Sequence, residues 1–419
     1  MQHLVSYLPQ LHSFLNTVGS KLNQEDTLQI YEAVAYVMSS MPMEEAAQSL
    51  KTFSTDILSK IHAIINKPTV ATKDELQLLV SKHTMFPPHT ICILHSDLLL
   101  DCLEHLEAML HVVKGFGEML PPTCQDTCEE VWALFDTLIA KYGQHYNVGD
   151  RATRVLRYGL DLFGPASLPI TQHVLSRMTT SFEAHGISGY LWIIGKVIGR
   201  FGNEEDPAMR DAFRQTYESV SSKMVLLLQQ QAAREIPDGN AFSFLRLRTI
   251  AYGTIIIVIV VEDYIRLLLQ MVDFAPDILF TSPAFPASFG SAVAGSTLVQ
   301  IDICYLALEF LRVVLTHDAL SPPTGAGGVA VVPPPKFPIY AQAVRNVFSE
   351  QGFNLLGCLL TGFVGDFDEE TTSQVVTIVR TISAVWPTEI TAWLPSVVER
   401  LPSTIPLTVK EQFLADFNK

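Results

Sequence analysis

The sequence predicts an all-α protein in which helices pair and stack into a solenoid. Apolar residues recur at helical spacing along nearly the whole chain, whereas the alternating pattern of a half-buried strand is almost absent. The chain has 419 residues, which is more than one compact core usually accommodates. Hydrophobic residues make up 48% and charged residues 17%, a composition that excludes a disordered polypeptide. The core must therefore extend along the chain.

The N-terminal part predicts three amphipathic helices in succession. The first carries apolar residues near helical spacing at Leu4, Leu8, Leu11, Phe14 and Leu15. The second begins at the capping segment 23–26 and ends before Pro42, and the third ends before Pro68. The opening residues lack the charged start, short apolar core and cleavage site of a signal peptide, so we expect no secretory leader.

The same periodicity predicts helices along the rest of the chain. They lie at about 102–115, 125–142, 150–163, 167–185, 188–202, 207–234, 261–273, 296–316, 338–362, 369–386, 388–401 and 407–417. The helices come in pairs of about 40 residues joined by short turns, which is the period of HEAT-type repeats. Each such pair buries its apolar face against its neighbours. A large globular all-α domain is the alternative.

Composition limits the partners of the chain. The net charge of −15 repels nucleic acid and anionic membranes and favours basic partners. The longest apolar run, 250–261, is shorter than the roughly 20 residues that span a bilayer. Six cysteines in so long a chain make no disulfide framework. We therefore expect no direct contact with nucleic acid, no membrane insertion and reduced thiols.

Motifs of catalysis and cofactor binding are not found in the sequence. It has no phosphate-binding glycine loop, nucleophile elbow or zinc-protease helix. The crowded His83, His89, Cys92, His95 and Cys102 match no standard zinc spacing. The sequence therefore predicts a binding protein without a cofactor, a metal or a catalytic site.

Three arginines at helical spacing form the candidate binding site. Arg151, Arg154 and Arg157 stand at i, i+3 and i+6 and span about 120° of one helix face. Arginine suits phosphate because its planar fork of N–H groups can bind two oxygens at once. The stripe therefore predicts an anion site on an otherwise acidic protein. The alternative is a solvated basic face paired with Asp150 and Asp161.

Four segments spread over most of the chain carry a resemblance to one family. They are YEAVAYVMSSMP from Tyr31, GDRATRVLRYGLDLFG from Gly149, SGYLWIIGKVIGRFG from Ser188, and a tail with Pro387-Thr388, Trp393-Leu394 and Leu401-Pro402. In this order they resemble the C-terminal half of the importin-β superfamily of nuclear transport receptors, in its transportin-3 (transportin-SR) branch.

The resemblance implies a HEAT solenoid that carries Arg/Ser-rich proteins into the nucleus under control of the GTPase Ran, with nucleoporins as further partners. It implies shuttling between nucleus and cytoplasm. The helix with the arginine stripe resembles the one that grips phosphorylated Arg/Ser segments, although Asp161 stands where the family often has a fourth arginine. We expect residues 1–419 to form a single solenoid, the cargo-binding C-terminal half of a larger receptor. A HEAT-repeat scaffold without a transport role is the alternative.

Two segments interrupt the helical pattern and have no counterpart in the family. Removing residues 81–100 joins the apolar positions on either side into one uninterrupted amphipathic helix. Residues 239–260 contain two arginines but no acid, unlike the surrounding chain. We interpret both as translated introns that form loops or poorly packed segments; genuine insertions with a specific interaction are the alternative. A Pro- and Gly-rich loop is predicted at 318–338.

Overall fold

Helices make up most of the described structure. The computed structural model describes residues 2–67, 90–110, 125–235, 252–298, 300–320, 334–365 and 367–417. No strand occurs within these ranges. The chain divides into two compact units, Met1–Val197 and Ile198–Lys419, and the division falls within one helix.

The first unit consists of helices throughout its described residues. Its α-helices are α1 (Leu8–Val18), α2 (Gln24–Met38), α3 (Met43–Ile65), α4 (Thr90–Leu110), α5 (Cys128–Tyr142), α6 (Tyr146–Phe163), α7 (Thr171–His185) and α8 (Ser188–Phe201), which crosses the division. Short 3₁₀ helices lie at Gln2–Tyr7, Gly19–Lys21 and Gly164–Ile170.

Capping residues explain where the first helices begin. Asn23 precedes α2, and its side-chain oxygen accepts a hydrogen bond of 2.7 Å from the backbone N–H of Asp26. This bond satisfies one of the free N–H groups of the first turn. Pro42 occupies the corresponding position before α3. The first α-helix begins only at Leu8, with Pro9 in its first turn, where a missing N–H costs nothing.

The helices of the first unit form two rows. In one row α2 packs against α4 and α4 against α6, and in the other α3 packs against α5 and α5 against α7. Contacts between α3 and α4 join the rows. Apolar side chains from both rows are completely buried, and each stabilises the fold by about 1.5–3 kcal/mol. They include Val34, Met38, Ile61, Leu103, Met109, Leu138, Met178 and Phe182.

The second unit has the same two-row construction. Its helices are α9 (Pro207–Glu235), α10 (Tyr252–Phe274), α11 (Pro276–Thr281), α12 (Phe285–Gly295), α13 (Ile301–Leu315), α14 (Phe337–Gly365), α15 (Glu369–Val385), α16 (Pro387–Glu399) and α17 (Leu407–Phe417). One row consists of α10, α13 and α15, and the other of α9, α11, α14 and α16. None of the helices that the structure describes is both long enough and apolar enough to span a bilayer.

The short helices α11 and α12 were not predicted from the sequence. A helix of six residues is too short to show an amphipathic period, and α12 is apolar on nearly all sides. Both begin with proline in the first turn. α12 packs against α13 and α14, so it fills the space between the two rows.

Four buried hydroxyl groups join three helices of the second unit. The hydroxyl of Tyr264 on α10 donates to Ser221 Oγ on α9 at 2.8 Å and pairs with Ser288 Oγ on α12 at 2.8 Å. Tyr217 of α9 pairs with the same Ser288 oxygen at 2.6 Å. Burial raises the pKa of Tyr264 to about 12. Because buried polar groups are costly when unpaired, this network holds the three helices in one register.

The first predicted insertion is partly described, and the described part is helical. Residues 90–100 begin α4, and Leu99 is completely buried four residues before Leu103. The sequence predicts a loop or a poorly packed segment here; a buried leucine at helical spacing extends the apolar face of α4 instead. Residues 81–89, with the expected break near Ser81, lie outside the described residues.

The second predicted insertion and the predicted loop are also partly described. Residues 252–260 belong to α10, where Val260 is buried and Ile259 is 38% exposed. Residues 239–251 lie outside the described residues, as do residues 321–333 of the loop. α14 begins at Phe337, so the last two residues of the predicted loop are helical. The intron interpretation stays a prediction.

Deletion of residues 81–100, with Asn in place of Asp101, tests that interpretation. Leu79 then takes the place of the buried Leu99, so the apolar face of α4 is preserved by residues that the helical pattern already contains. We expect the Tm in thermal unfolding to rise. An 18-residue deletion of 81–98 serves as the control: relative to the 20-residue deletion it rotates the apolar positions before the junction by about 200° against those after it, so it should lower the Tm. A lower Tm for both variants contradicts the interpretation.

A histidine in the first unit makes the fold sensitive to acid. The ring centres of His105 on α4 and Tyr31 on α2 lie 4.6 Å apart, and the ring planes are tilted by 31°. Burial, aided by the charge of Lys60, lowers the pKa of His105 to about 4. In the unfolded chain the group titrates near its ordinary value of about 6.5. The unfolded state therefore binds the proton first as the pH falls.

The lowered pKa of His105 predicts how the stability of the fold depends on pH. The stabilisation due to neutral His105 is complete above about pH 6.5 and is lost as the pH falls towards 4. Between pH 7 and pH 5 the loss is up to about 2 kcal/mol. His105→Phe keeps a ring against Tyr31 but cannot bind a proton, so its free energy of unfolding in urea should fall less between these pH values. Equal decreases for wild type and variant contradict the prediction.

Candidate functional site

The three predicted arginines lie on the solvent-accessible side of α6. The opposite side of the helix packs into the core through Val148, Ala152, Val155, Leu156, Tyr158, Leu160, Leu162 and Phe163. The side chain of Arg154 is 51% exposed and that of Arg151 is 28% exposed. Arg157 is half-buried. The alternation of core and surface positions along α6 thus brings the stripe to the surface.

Arg151 is bound by two acids of the neighbouring helix α4. Its Nη1 donates to Glu107 Oε2 at 2.6 Å and its Nη2 to Glu104 Oε1 at 3.0 Å. Glu104 also accepts a hydrogen bond of 3.0 Å from Gln24 Nε2 at the start of α2. The three side chains of this ion-pair cluster are partly buried, which makes the bonds stronger than surface ion pairs. Arg151 therefore links α6 to α4, and the Gln24–Glu104 bond extends the cluster to α2.

An acidic strip on α4, formed by Asp97 and Asp101, lies beside these bonds. Asp97 is exposed, and Asp101 stands one turn further along the helix. Burial, the charge of Glu104 and the charge of Asp97 raise the pKa of Asp101. Burial is the largest cause of this shift, and the two neighbouring carboxylates add to it, so a basic group of a ligand beside Asp101 would be favoured.

Arg154 has a weaker partner on its own helix. Its Nε donates to Asp150 Oδ2 at 3.0 Å, across one turn of α6. An exposed pair with this spacing stabilises a helix by about 0.3–0.5 kcal/mol. An external anion can therefore replace Asp150 at little cost.

Arg157 lies against two aromatic rings. Its guanidinium carbon is 4.8 Å from the centre of the Tyr158 ring and 4.9 Å from the centre of the Trp192 ring on α8. Its Nη2 also donates to the Tyr158 hydroxyl at 3.0 Å. Among the residues that the structure describes, no carboxylate forms an ion pair with Arg157. The cation is thus held by cation–π attraction, and its charge is not neutralised.

A close contact between α6 and α8 sets the position of Trp192. A Cβ atom added to Gly189 would lie 2.3 Å from Oγ1 of Thr153, so a side chain does not fit there. One turn further Arg157 meets Trp192, and the next turn brings Lys196 Nζ to 2.7 Å from Oδ1 of Asp161. The contacting residues follow one another in the same order along α6 and α8, so the two helices run parallel.

An apolar groove of about 820 Å³ opens elsewhere in the first unit. It lies between α3, α5 and α6, and its floor is formed by leucine, valine and phenylalanine side chains. It is also lined by Lys51 and His62 of α3 and by Glu130 of α5. The arginine stripe does not line this groove.

Among the cysteines whose side chains the structure describes, Cys102, Cys128 and Cys304 are buried thiols and Cys358 is a half-buried one. Burial raises the pKa of Cys102, Cys128 and Cys358 to about 11 and that of Cys304 to about 12. Protonated thiols are poor nucleophiles and poor metal ligands. Within the described ranges, no three His, Cys, Asp or Glu side chains form a group that could hold a metal ion.

Comparisons with known proteins point to one group of proteins. Residues 122–228, which include the arginine stripe and α8, match the family model for the fourth TPR domain of Transportin-3 and Importin-13. The mRNA transport regulator MTR10 of Saccharomyces cerevisiae is 22% identical over 95% of this chain and 39% of its own length. Transportin MOS14 of Arabidopsis thaliana is 20% identical over 70% of this chain and 26% of its own length.

A solved structure confirms the fold. Importin13 in its cytosolic state matches with a TM-score of 0.62 and 14% identity, and the match covers 98% of this chain and 41% of that chain. At this identity the likeness shows the fold, so the predicted all-α HEAT-type solenoid is confirmed. The chain spans about two fifths or less of the length of the proteins that it matches.

Substitution of Gly189 tests the contact that positions Trp192. Gly189→Ala forces α8 away from Thr153 and should lower the free energy of unfolding by about 1–3 kcal/mol. Gly357→Ala on α14 is the matched control, because its Cβ meets open space and alanine should stabilise the helix by about 0.5–1 kcal/mol. Thr153→Ala should partly rescue Gly189→Ala. Equal effects of the two glycine substitutions in denaturant titrations contradict the contact.

Proposed function

We propose that the chain is a member of the importin-β/transportin family and forms the cargo-binding part of a nuclear import receptor for Arg/Ser-rich proteins, as its similarity to Transportin-3, Importin-13, MTR10 and MOS14 supports. It acts by binding and not by catalysis. The names of the relatives MTR10 and MOS14 refer to transport, which supports a transport role over that of a scaffold.

The observation that carries the proposal is the arginine stripe beside the acidic strip of α4. Arg154 and Arg157 are accessible, and both lie within the segment that matches the Transportin-3/Importin-13 model. α4 and α6 are neighbours, joined by Arg151. A phosphorylated Arg/Ser segment alternates positive and negative charge, so its arginines can meet the acids of α4 while its phosphoserines meet the arginines of α6.

Phosphorylation decides whether the arginine stripe attracts or repels an Arg/Ser segment. An unmodified Arg/Ser segment is a polycation, which the net charge of −15 attracts but the arginine stripe repels. Each phosphate adds about −1.5 to −2 charges and three acceptor oxygens. The stripe should therefore distinguish the phosphorylated segment from the unmodified one.

The remaining partners follow from the family. We propose that the whole receptor is regulated by Ran, contacts nucleoporins and shuttles between nucleus and cytoplasm. The chain spans 39% of the length of MTR10, so these activities are proposed for the whole receptor and the cargo contact for this chain.

Replacement of Arg151, Arg154 and Arg157 with Ala together tests the cargo proposal. The affinity for a phosphorylated Arg/Ser peptide, measured by calorimetry, should fall at least roughly tenfold, because charge-assisted hydrogen bonds contribute about 1.5–3 kcal/mol each. The affinity for the unmodified peptide should change much less.

The control is a pair of ion-paired arginines in the second unit, of which Arg266 is exposed and Arg312 half-buried. Arg266 pairs with Glu262 across one turn with a side-chain exposure of 48%, and Arg312 pairs with Glu309. Arg266→Ala with Arg312→Ala should leave the preference for the phosphorylated peptide unchanged. Equal losses for both peptides in the stripe variant mean that the stripe is not a phosphate site.

A further inference from the structure

The charges along the accessible side of α6 are not equally available. Two arginines of the stripe are already neutralised: Arg151 by Glu104 and Glu107, and Arg154 by Asp150. Further along the helix, Asp161 and Lys196 neutralise each other at 2.7 Å. Arg157 stands between these pairs and has aromatic neighbours in place of a carboxylate, within the part of the chain that the structure describes. It is an uncompensated cation flanked by compensated ones.

The aromatic neighbours also fix the direction of this cation. Tyr158 is buried in the core, and Trp192 lies one turn beyond the point where Gly189 lets α8 approach Thr153 closely. The two rings restrict the long arginine side chain, so little further rotamer entropy is lost when a ligand binds. Of the five N–H groups of the guanidinium, one donates to the Tyr158 hydroxyl. Further N–H groups remain for a ligand.

We propose that Arg157 and Trp192 form a subsite for a single phosphate group, in which Arg157 binds the anion and Trp192 positions the guanidinium. The choice of a phosphoserine as the natural occupant rests on the proposed function. Trp192 does not need to touch the phosphate. Its apolar face removes water from one side of the cation, which strengthens a charge-assisted bond on the other side.

The subsite assigns different tasks to the three arginines. Arg157 carries most of the discrimination between phosphorylated and unmodified peptide. Arg151 stabilises the packing of α4 against α6, since both ends of its guanidinium are occupied by acids. Arg154 contributes only after it releases Asp150. A site that used the three arginines equally would show three similar losses in single substitutions.

Single substitutions, measured with a phosphorylated Arg/Ser peptide, test the subsite. Arg157→Ala and Trp192→Leu should each lower the affinity for a phosphorylated Arg/Ser peptide, by roughly tenfold or more for Arg157→Ala. Arg151→Ala should lower it less while lowering the Tm. Trp192→Phe keeps a ring for cation–π contact and should restore part of the affinity. In a double-mutant cycle, Arg157→Ala and Trp192→Leu together should cost less than the sum of the single losses.

A matched cation–π pair in the second unit provides the control. The guanidinium carbon of Arg400 lies 5.0 Å from the ring centre of Phe353. Phe353→Leu removes this contact and should leave peptide binding unchanged. Additive losses in the cycle, or full affinity in Trp192→Leu, overturn the positioning role of Trp192.

Inorganic phosphate separates this subsite from the proposed function. The indole N–H resonance of Trp192, assigned with Trp192→Phe, should shift when phosphate is titrated, and Arg157→Ala should abolish the shift. If the wild type shows this shift but no preference for the phosphorylated peptide, the proposed cargo is wrong and the subsite stands. If the peptide preference survives Arg157→Ala, or if the resonance does not respond to phosphate, the subsite is wrong.

Discussion

Each helix of this protein can bury its apolar side only against helices that are near it in the sequence. An amphipathic helix in isolation gains too little to be stable, because most helical stability comes from tertiary packing. In both units the row helices satisfy this constraint by contacting the preceding and following members of their row and the helices opposite. The two rows leave accessible edges on which polar side chains collect. The arginine stripe of α6 and the acidic strip of α4 lie on such edges, so the position of the proposed binding site follows from how the core is built.

The distance between neighbouring helices then decides which polar side chains can meet. Gly189 allows α8 to come close to Thr153, and the next two turns bring Arg157 to Trp192 and Asp161 to Lys196. A larger residue at position 189 would separate these groups although it touches none of them. The glycine therefore acts on the charge distribution from a distance, through helix packing.

The sequence was sufficient for the helices and for the exposure of the stripe, but not for the partners of the arginines. Apolar spacing located α6 and α8 within a few residues, and the spacing of three put the arginines on one side. Asp150 was also foreseeable, since it is one turn from Arg154. Glu104 and Trp192 are far from the arginines in sequence and meet them only through the packing of α4 and α8. The short α11 and α12 were missed because they show too few turns for a period to emerge.

The hydroxyl network of the second unit has a mechanical consequence. Tyr217, Tyr264, Ser221 and Ser288 have one another as partners, and a slide of any of the three helices by a fraction of a turn would leave a buried oxygen unpaired. Apolar packing alone would resist such a slide far less steeply. We therefore expect α9, α10 and α12 to move as one body.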